Sequence, residues 1–342
     1  MAGKLKKSRI KVSIVLGIYN AERTLKECLN SIFIQDYPKS EYEVIVVDGG
    51  SNDNTLGIVK DFMIKNKNLL LVHNSKKFSE GRGMSKDIGV DYARGDIVIF
   101  LDHDNIILHR DWLHKMMYPF KVNSKIMASQ SMLQFLEGDS NFLKYINALG
   151  VEDPFAVPHS LVSQVVLHPE KFKLVEDNYY VHNLNEKHVL YGGANGGAFR
   201  REVFQRIGGY TRDVDVYASM ASLNMVVAVV KNARIYHKTS NDFLSFMKKK
   251  GVYFYRFIDK EYTTKKFQWI PKDFSGKIRF YIQVAGNLSI ISPLMLSIRQ
   301  AFRSKRLFWL LHPFYLFFIT LEYGLITLYR LGNFIDYGRR DI

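Results

Sequence analysis

The chain is predicted to fold as an α/β protein, a mostly parallel sheet flanked by helices, with an apolar and basic helical region at its C-terminal end. Three observations carry this expectation. Short β-rich apolar runs alternate four times with segments of helical periodicity in the first hundred residues, the pattern of a parallel sheet covered on both faces. Three of those runs end in polar clusters, where ligands sit in such sheets. Two long apolar stretches, 280–298 and 307–328, lie near the end of the chain, with four basic residues between them at 299–306.

The elements follow in order. Residues 11–18 (KVSIVLGI) read as a buried strand. Residues 20–34 carry Leu25, Leu29, Ile32 and Phe33 at helical spacing, and Asp36-Tyr37-Pro38 ends the helix. A second strand, 42–47 (YEVIVV), closes in the turn-rich 48–55 (DGGSNDNT). A helix over 56–65, a strand over 69–73, a helix over 84–93 and a strand over 96–101 complete the alternation. Residues 105–190 show no clear period or repeat. A glycine-rich loop, 192–197 (GGANGG), precedes a short helix from Arg201, and 224–230 (NMVVAVV) reads as a strand or a buried helix.

Composition excludes several classes. With 342 residues, 47% of them hydrophobic, and only 8 prolines, the chain buries a sizeable core and is neither disordered nor collagen-like. A single cysteine, Cys28, excludes a disulfide framework and a cysteine-based zinc site, and fits a reducing compartment. The start has a basic run but no cleavable apolar segment, so no signal peptide is expected. Of a formal net charge of +15, the last hundred residues supply most, with 17 Lys/Arg against 6 Asp/Glu. Such a tail suits nucleic acid, anionic lipid or a phosphorylated substrate. Each apolar stretch is near the ~20 residues of a membrane span, yet two spans would put the basic loop outside. Helices lying in a membrane interface fit better, and a soluble helical hairpin is the plain alternative.

Asp102-His103-Asp104 follows the fourth strand, and two carboxylates one residue apart can share a hard divalent cation. Taken alone, they are equally a pair of turn aspartates. In context, VSIVLGIYN at the first strand, VIVVDGGSNDNT at the second and ARGDIVIFLDHDN at the fourth closely resemble the family 2 glycosyltransferases of the GT-A fold. NGGAFRREVFQRIGGY, at 195–210, resembles that family's acceptor-side loop and helix. The order and spacing agree, and the resemblance covers 11–257.

What the resemblance implies is a metal-dependent, inverting transfer of one sugar from a nucleotide-diphosphate sugar, a UDP-sugar in preference. The acceptor is expected to be a lipid-linked or cell-surface glycan precursor. Asp48 would meet the base, with Tyr19, Asn20 and Glu22 flanking ring and ribose and Gly50 shaping the turn; a plain turn cap is the other reading of Asp48. Asp102 would lie near ribose and metal, while Asp104, and His237 at the end of ARIYH, would hold Mg²⁺ or Mn²⁺. Arg82 and Asp87, in GRGMSKDIG, would reach the nucleotide or form a charged turn; Lys86 and Asp87 stand where the family usually has Arg and Asn. The base for the acceptor hydroxyl would be Asp213, with Asp215 as the fallback, and Arg212 stands where an acidic residue is usual. Gly193, Asn195 and Arg256 would serve acceptor and diphosphate. Only Arg256 matches the Gln-x-x-Arg-Trp signature of processive synthases, which argues for single-sugar transfer.

The expected layout is a basic tail over 1–10, a GT-A domain over 11–257 divided near 110 into nucleotide-sugar and acceptor halves, and a membrane-associated helical region over 258–342, on the cytoplasmic face of the membrane. A polyprenyl-phosphate sugar synthase of the same fold is the nearest alternative. A sugar-phosphate nucleotidyltransferase would need a glycine-rich, Arg-containing loop after the first strand, which is absent. A nucleic-acid-binding protein is disfavoured because the charge lies beside apolar stretches, and an inactive homologue because the aspartates are intact.

Overall fold

In the computed structural model, residues 11–76, 81–193, 195–240, 242–256, 266–267 and 273–332 are described; the basic tail over 1–10 lies outside the described residues. The chain divides into two compact units, one of residues 1–134 and 158–238, the other of 135–157 and 239–342.

The first unit is built on a ten-stranded sheet. Its parallel half comprises β1 (Val12–Ile18), β2 (Tyr42–Asp48), β3 (Leu69–His73) and β4 (Ile97–Phe100), in the order β3-β2-β1-β4. β1 and β2 are buried along their whole length, as mostly apolar strands covered on both sides are, and the buried Ser13 and Glu43 within them bond each other at 2.7 Å. Beyond β4 come short strands that the sequence does not announce: β5 (Asn105–Ile107), β6 (Ile126–Leu133), β7 (Lys173–Val175), β8 (Tyr179–Asn183) and β9 (Gly197–Arg200). Residues 224–230, left open between strand and helix, fall mostly in β10 (Val226–His237). β9 runs antiparallel to both β4 and β6, so this half of the sheet is mixed.

Helices cover both faces. In α1 (Leu25–Phe33), Leu25, Cys28, Leu29 and Ile32 form one buried stripe against Val12, Ile14 and Leu16. α2 (Thr55–Lys65) and α4 (Trp112–Val122) share that face through Val59, Trp112 and Met116. The other face carries α3 (Ser85–Tyr92), α6 (Leu161–Leu167), α7 (Arg201–Ile207) and α8 (Asp213–Ser222), packed on Val15, Val98 and Phe100. Each such side chain contributes about 1.5–3 kcal/mol by leaving water.

The second unit is helical: α5 (Asn141–Leu149), α9 (Phe243–Arg256), α10 (Phe274–Ser289), α11 (Ile291–Ser304) and α12 (His312–Gly332). Residues 135–157, 239–240 and 242–256, all inside the expected GT-A domain, pack here. The 280–298 stretch is not one continuous helix. Ile290 takes φ 63°, and α10 and α11 meet there at a 71° bend. The second stretch begins in a 3₁₀ turn, Leu307–Leu311, that runs on into α12; together Leu307–Tyr329 is long and apolar enough to cross a membrane, with 39% of its apolar 18-residue window buried.

Gly89 lets α3 lie close to β1, for an added Cβ would sit 2.3 Å from Val15 Cγ1. Helix propensity favours alanine there by about 1 kcal/mol, while overpacking costs about 1–3 kcal/mol. Gly89→Ala is therefore expected to lower the unfolding free energy by about 1 kcal/mol in urea denaturation, and a rise would show that α3 shifts at no cost.

Candidate active site

The site is a strand-end edge of the first unit. Parallel register sets Ile18 beside Asp48, and Asp48 beside His73. The loops that follow β1 and β2 clasp each other. Asn20, at φ 48°, accepts from the Asn52 amide at 3.0 Å, and Glu22 Oε2 accepts from the Asn54 amide at 2.9 Å. Tyr19 is half-buried beside them. The Asp48 carboxylate is buried and accepts from the Gly50 amide at 3.0 Å and from the Ser51 hydroxyl at 2.6 Å, the arrangement of a turn cap. Gly50 holds φ 87°, which glycine adopts without strain.

The Asp102-His103-Asp104 turn leaves β4 one strand away. Cys28 reaches it from the core, its thiol 3.6 Å from the Asp102 carbonyl, and burial pushes that thiol far up, so it acts in packing rather than as a nucleophile. His103 Nδ1 lies 2.8 Å from the Thr24 hydroxyl. The two aspartates have different partners. Asp102 Oδ1 is 3.0 Å from the ammonium of Lys86, a fully buried lysine on α3. Asp104 Oδ2 is 3.4 Å from His237 Nε2, because the pairing of β5 with β10 sets His237 opposite Asn105.

Among the described residues no cluster of three His, Cys, Asp or Glu side chains suits a metal ion. Asp104 and His237 nevertheless fit Mg²⁺ or Mn²⁺. One carboxylate and one imidazole leave most of a cation's positions to phosphate oxygens and water, the usual state of such ions at phosphate sites.

The glycine-rich loop arrives from the acceptor half. Asn195 Oδ1 accepts from Asn105 Nδ2 at 2.9 Å, and its carbonyl accepts from Gln130 Nε2 at 2.8 Å. The missing Cβ of Gly193 would stand 3.6 Å from Asp213 Oδ2. Asp213 opens α8, whose N-terminal dipole favours a negative charge, and Tyr210 donates its hydroxyl to Asp213 Oδ1. Burial and the Asp213 carboxylate together push the Tyr217 hydroxyl well above its usual range; it stays a neutral donor to Gln130 Oε1 at 3.3 Å. Asp215, two residues on, is buried within the same first turn.

Asp87 is turned toward this segment: it accepts from Arg82, from the Gly83 amide at 2.8 Å and from the Tyr210 amide at 2.8 Å. Arg256 closes α9 in the second unit. The residues that sequence reasoning passed over are Gln130, Tyr210 and Tyr217. Lys86 stands out in the sequence only as a departure from the family pattern, and its pairing with Asp102 leaves no local signal.

Comparison with known proteins bears on the family and the fold. Residues 13–208 match the model of Glycosyl transferase family 2. The chain is 36% identical over 104 residues to the glycosyltransferase AglE of Haloferax volcanii, a match covering 30% of this chain and 33% of that one. It is 40% identical over 98 residues to the poly(ribitol-phosphate) beta-N-acetylglucosaminyltransferase TarS of Staphylococcus aureus, covering 29% of this chain and 17% of that one. The chain thus spans a third or less of the length of these curated relatives. Among solved structures, mannosyltransferase PcManGT from Pyrobaculum calidifontis, in complex with GDP-Man and Mn²⁺, has the same fold: TM-score 0.57 at 14% identity, over 95% of this chain and 88% of that one.

Asp102→Ala would strip the buried Lys86 of this carboxylate. We expect it to lower the unfolding free energy by about 2–3 kcal/mol, measured in urea; an unchanged value would show that the Lys86 charge is met elsewhere.

Proposed function

The chain belongs to glycosyl transferase family 2, and from that premise we propose that it moves a single sugar, with inversion, from a nucleotide-diphosphate sugar to a lipid-linked or cell-surface glycan precursor. The observation that carries this reading is the convergence of Asp213, beside Gly193, with the Asn195–Asn105 bridge that leads to Asp102 and Asp104. A base and a cation-holding pair thus border one loop.

In the reaction, the acceptor hydroxyl attacks the anomeric carbon from the face opposite the diphosphate. Asp213 takes the hydroxyl proton as the new C–O bond forms and the bond from the sugar to the diphosphate breaks, which inverts the configuration. The hydrogen bond from Tyr210 and the start of α8 hold the Asp213 carboxylate in place. Asp104 and His237 would hold a Mg²⁺ or Mn²⁺ ion, which when bound would supply Lewis-acid neutralisation of charge on the departing diphosphate. Mn²⁺ in the mannosyltransferase of like fold supports a divalent cation here. Asp48 and the clasped loops at Asn20 and Glu22 are the proposed seat of the nucleobase, uracil in preference, and Arg82 and Asp87 brace the segment that bears the base. Asp215 is the fallback base.

The acceptor class is supported by the second unit, whose apolar helices and basic residues suit peripheral attachment to the cytoplasmic face of an anionic membrane, and by the poly(ribitol-phosphate) in the name of TarS.

The test is release of nucleoside diphosphate from UDP-glucose, UDP-GlcNAc and GDP-mannose by the full chain, with Mn²⁺ and vesicles carrying a polyprenyl-linked sugar. One donor is expected to turn over. Asp213→Asn is expected to cut that rate roughly 100- to 10,000-fold while leaving the donor's Kd unchanged. Full activity in Asp213→Asn, with loss in Asp215→Asn, would move the base to Asp215.

A further inference from the structure

The helix α11 in the second unit is amphipathic in the inverted sense. Its buried face is Pro293, Ser297 and Gln300, and its exposed face is Ile291, Met295, Ile298 and Phe302, at spacings of four, three and four. Phe302 is 81% and Met295 72% exposed. A helix in water hides such a face, whereas one at a lipid boundary presents it. α11 ends at Lys305, in the left-handed conformation at φ 55°, and the chain passes through Arg306 into a 3₁₀ turn, Leu307–Leu311.

At this point an open cleft of about 480 Å³ lies within the second unit. Its walls bring Lys144 of α5 together with Lys305 and Arg306, above Leu307, Leu310 and Leu311. Glu137 forks onto Arg306 at 2.6 and 3.2 Å and lies 3.9 Å from Lys144, so the four charged side chains keep a net positive charge. Leu307 is 79% exposed. Cations and leucines lining one cleft match a group that carries both an anionic and an apolar part.

We propose that this cleft receives the phosphate headgroup of an anionic bilayer lipid, with the exposed face of α11 lying in the membrane interface beside it. The proposal rests on the membrane attachment put forward above and adds the site that reads the lipid's charge. Charge complementarity selects the occupant: a second copy of this chain, equally basic here, would bring like charges together.

The test is sedimentation of the full chain with vesicles of phosphatidylcholine, of phosphatidylcholine with phosphatidylglycerol, and of phosphatidylcholine doped with a prenyl phosphate. The wild type is expected to partition onto the phosphatidylglycerol vesicles. Lys144→Gln with Lys305→Gln is expected to weaken that partitioning about fivefold for each lysine. The charge-matched pair Lys125→Gln with Lys173→Gln, on exposed residues of the first unit, is expected to keep it. Equal losses in both pairs would overturn the cleft and leave only bulk charge. A loss confined to prenyl phosphate vesicles would overturn the headgroup assignment in favour of the acceptor. Failure of the wild type to bind any anionic vesicle would overturn the membrane reading itself, and with it the cleft.

Discussion

The parallel register of β1 with its two neighbours is the constraint on which the rest of the molecule depends. Parallel strands end on the same side, so Ile18, Asp48 and the Asp102 turn after Phe100 arrive together at one edge although far apart in the chain. β9 then runs antiparallel to β4 with Gly197 opposite Phe100, which delivers the glycine-rich loop to that edge from the other direction. β10 brings His237 there by pairing with β5. A one-residue slip of β1 would turn Val12, Ile14 and Leu16 from one core face to the other, so the geometry of the site is fixed by the same burial that holds the sheet together.

At that edge the local problem is electrostatic. Carboxylates gathered at one edge would repel one another, and each aspartate meets a distinct partner instead. Asp48 is taken up by its own turn, Asp102 by a buried ammonium, Asp104 by an imidazole and Asp213 by a tyrosine hydroxyl. Of the two aspartates in the turn after β4, Asp104 is the one a cation can approach without removing a permanent charge partner, since a histidine ligates in its neutral form. That difference separates two aspartates only one residue apart.

Much of this was legible in the sequence, for physical reasons that also mark where it stopped. β4 is wholly apolar and β1 and β2 are mostly so, and the polar residues after them stand out by contrast. β6, with the sequence IMASQSML, is buried throughout, yet Ser129, Gln130 and Ser131 break any apolar pattern. They are buried because each has a partner: Ser131 accepts from the Trp112 indole, and Gln130 holds Asn195 and Tyr217. Such partners lie tens of residues away and leave no local signal. The same holds for the Tyr210 amide bound to Asp87 across 123 positions. In the second unit the hydropathy of 280–298 was legible but the left-handed Ile290 was not, since nothing in its neighbours announces the bend.

The account makes the strand-end edge a nucleotide site that depends on a divalent ion, and thermal unfolding tests this most directly. UDP, GDP, CMP and ADP are each added with and without Mn²⁺ to the wild type and to Asp104→Ala. A ligand at a hundred times its Kd stabilises the folded state by about 2.7 kcal/mol, a readily measured rise in Tm. The account predicts that one diphosphate, UDP in preference, raises the Tm only with Mn²⁺ and that Asp104→Ala abolishes the rise. A flat panel from well-folded protein, or a rise that persists in Asp104→Ala, would contradict it.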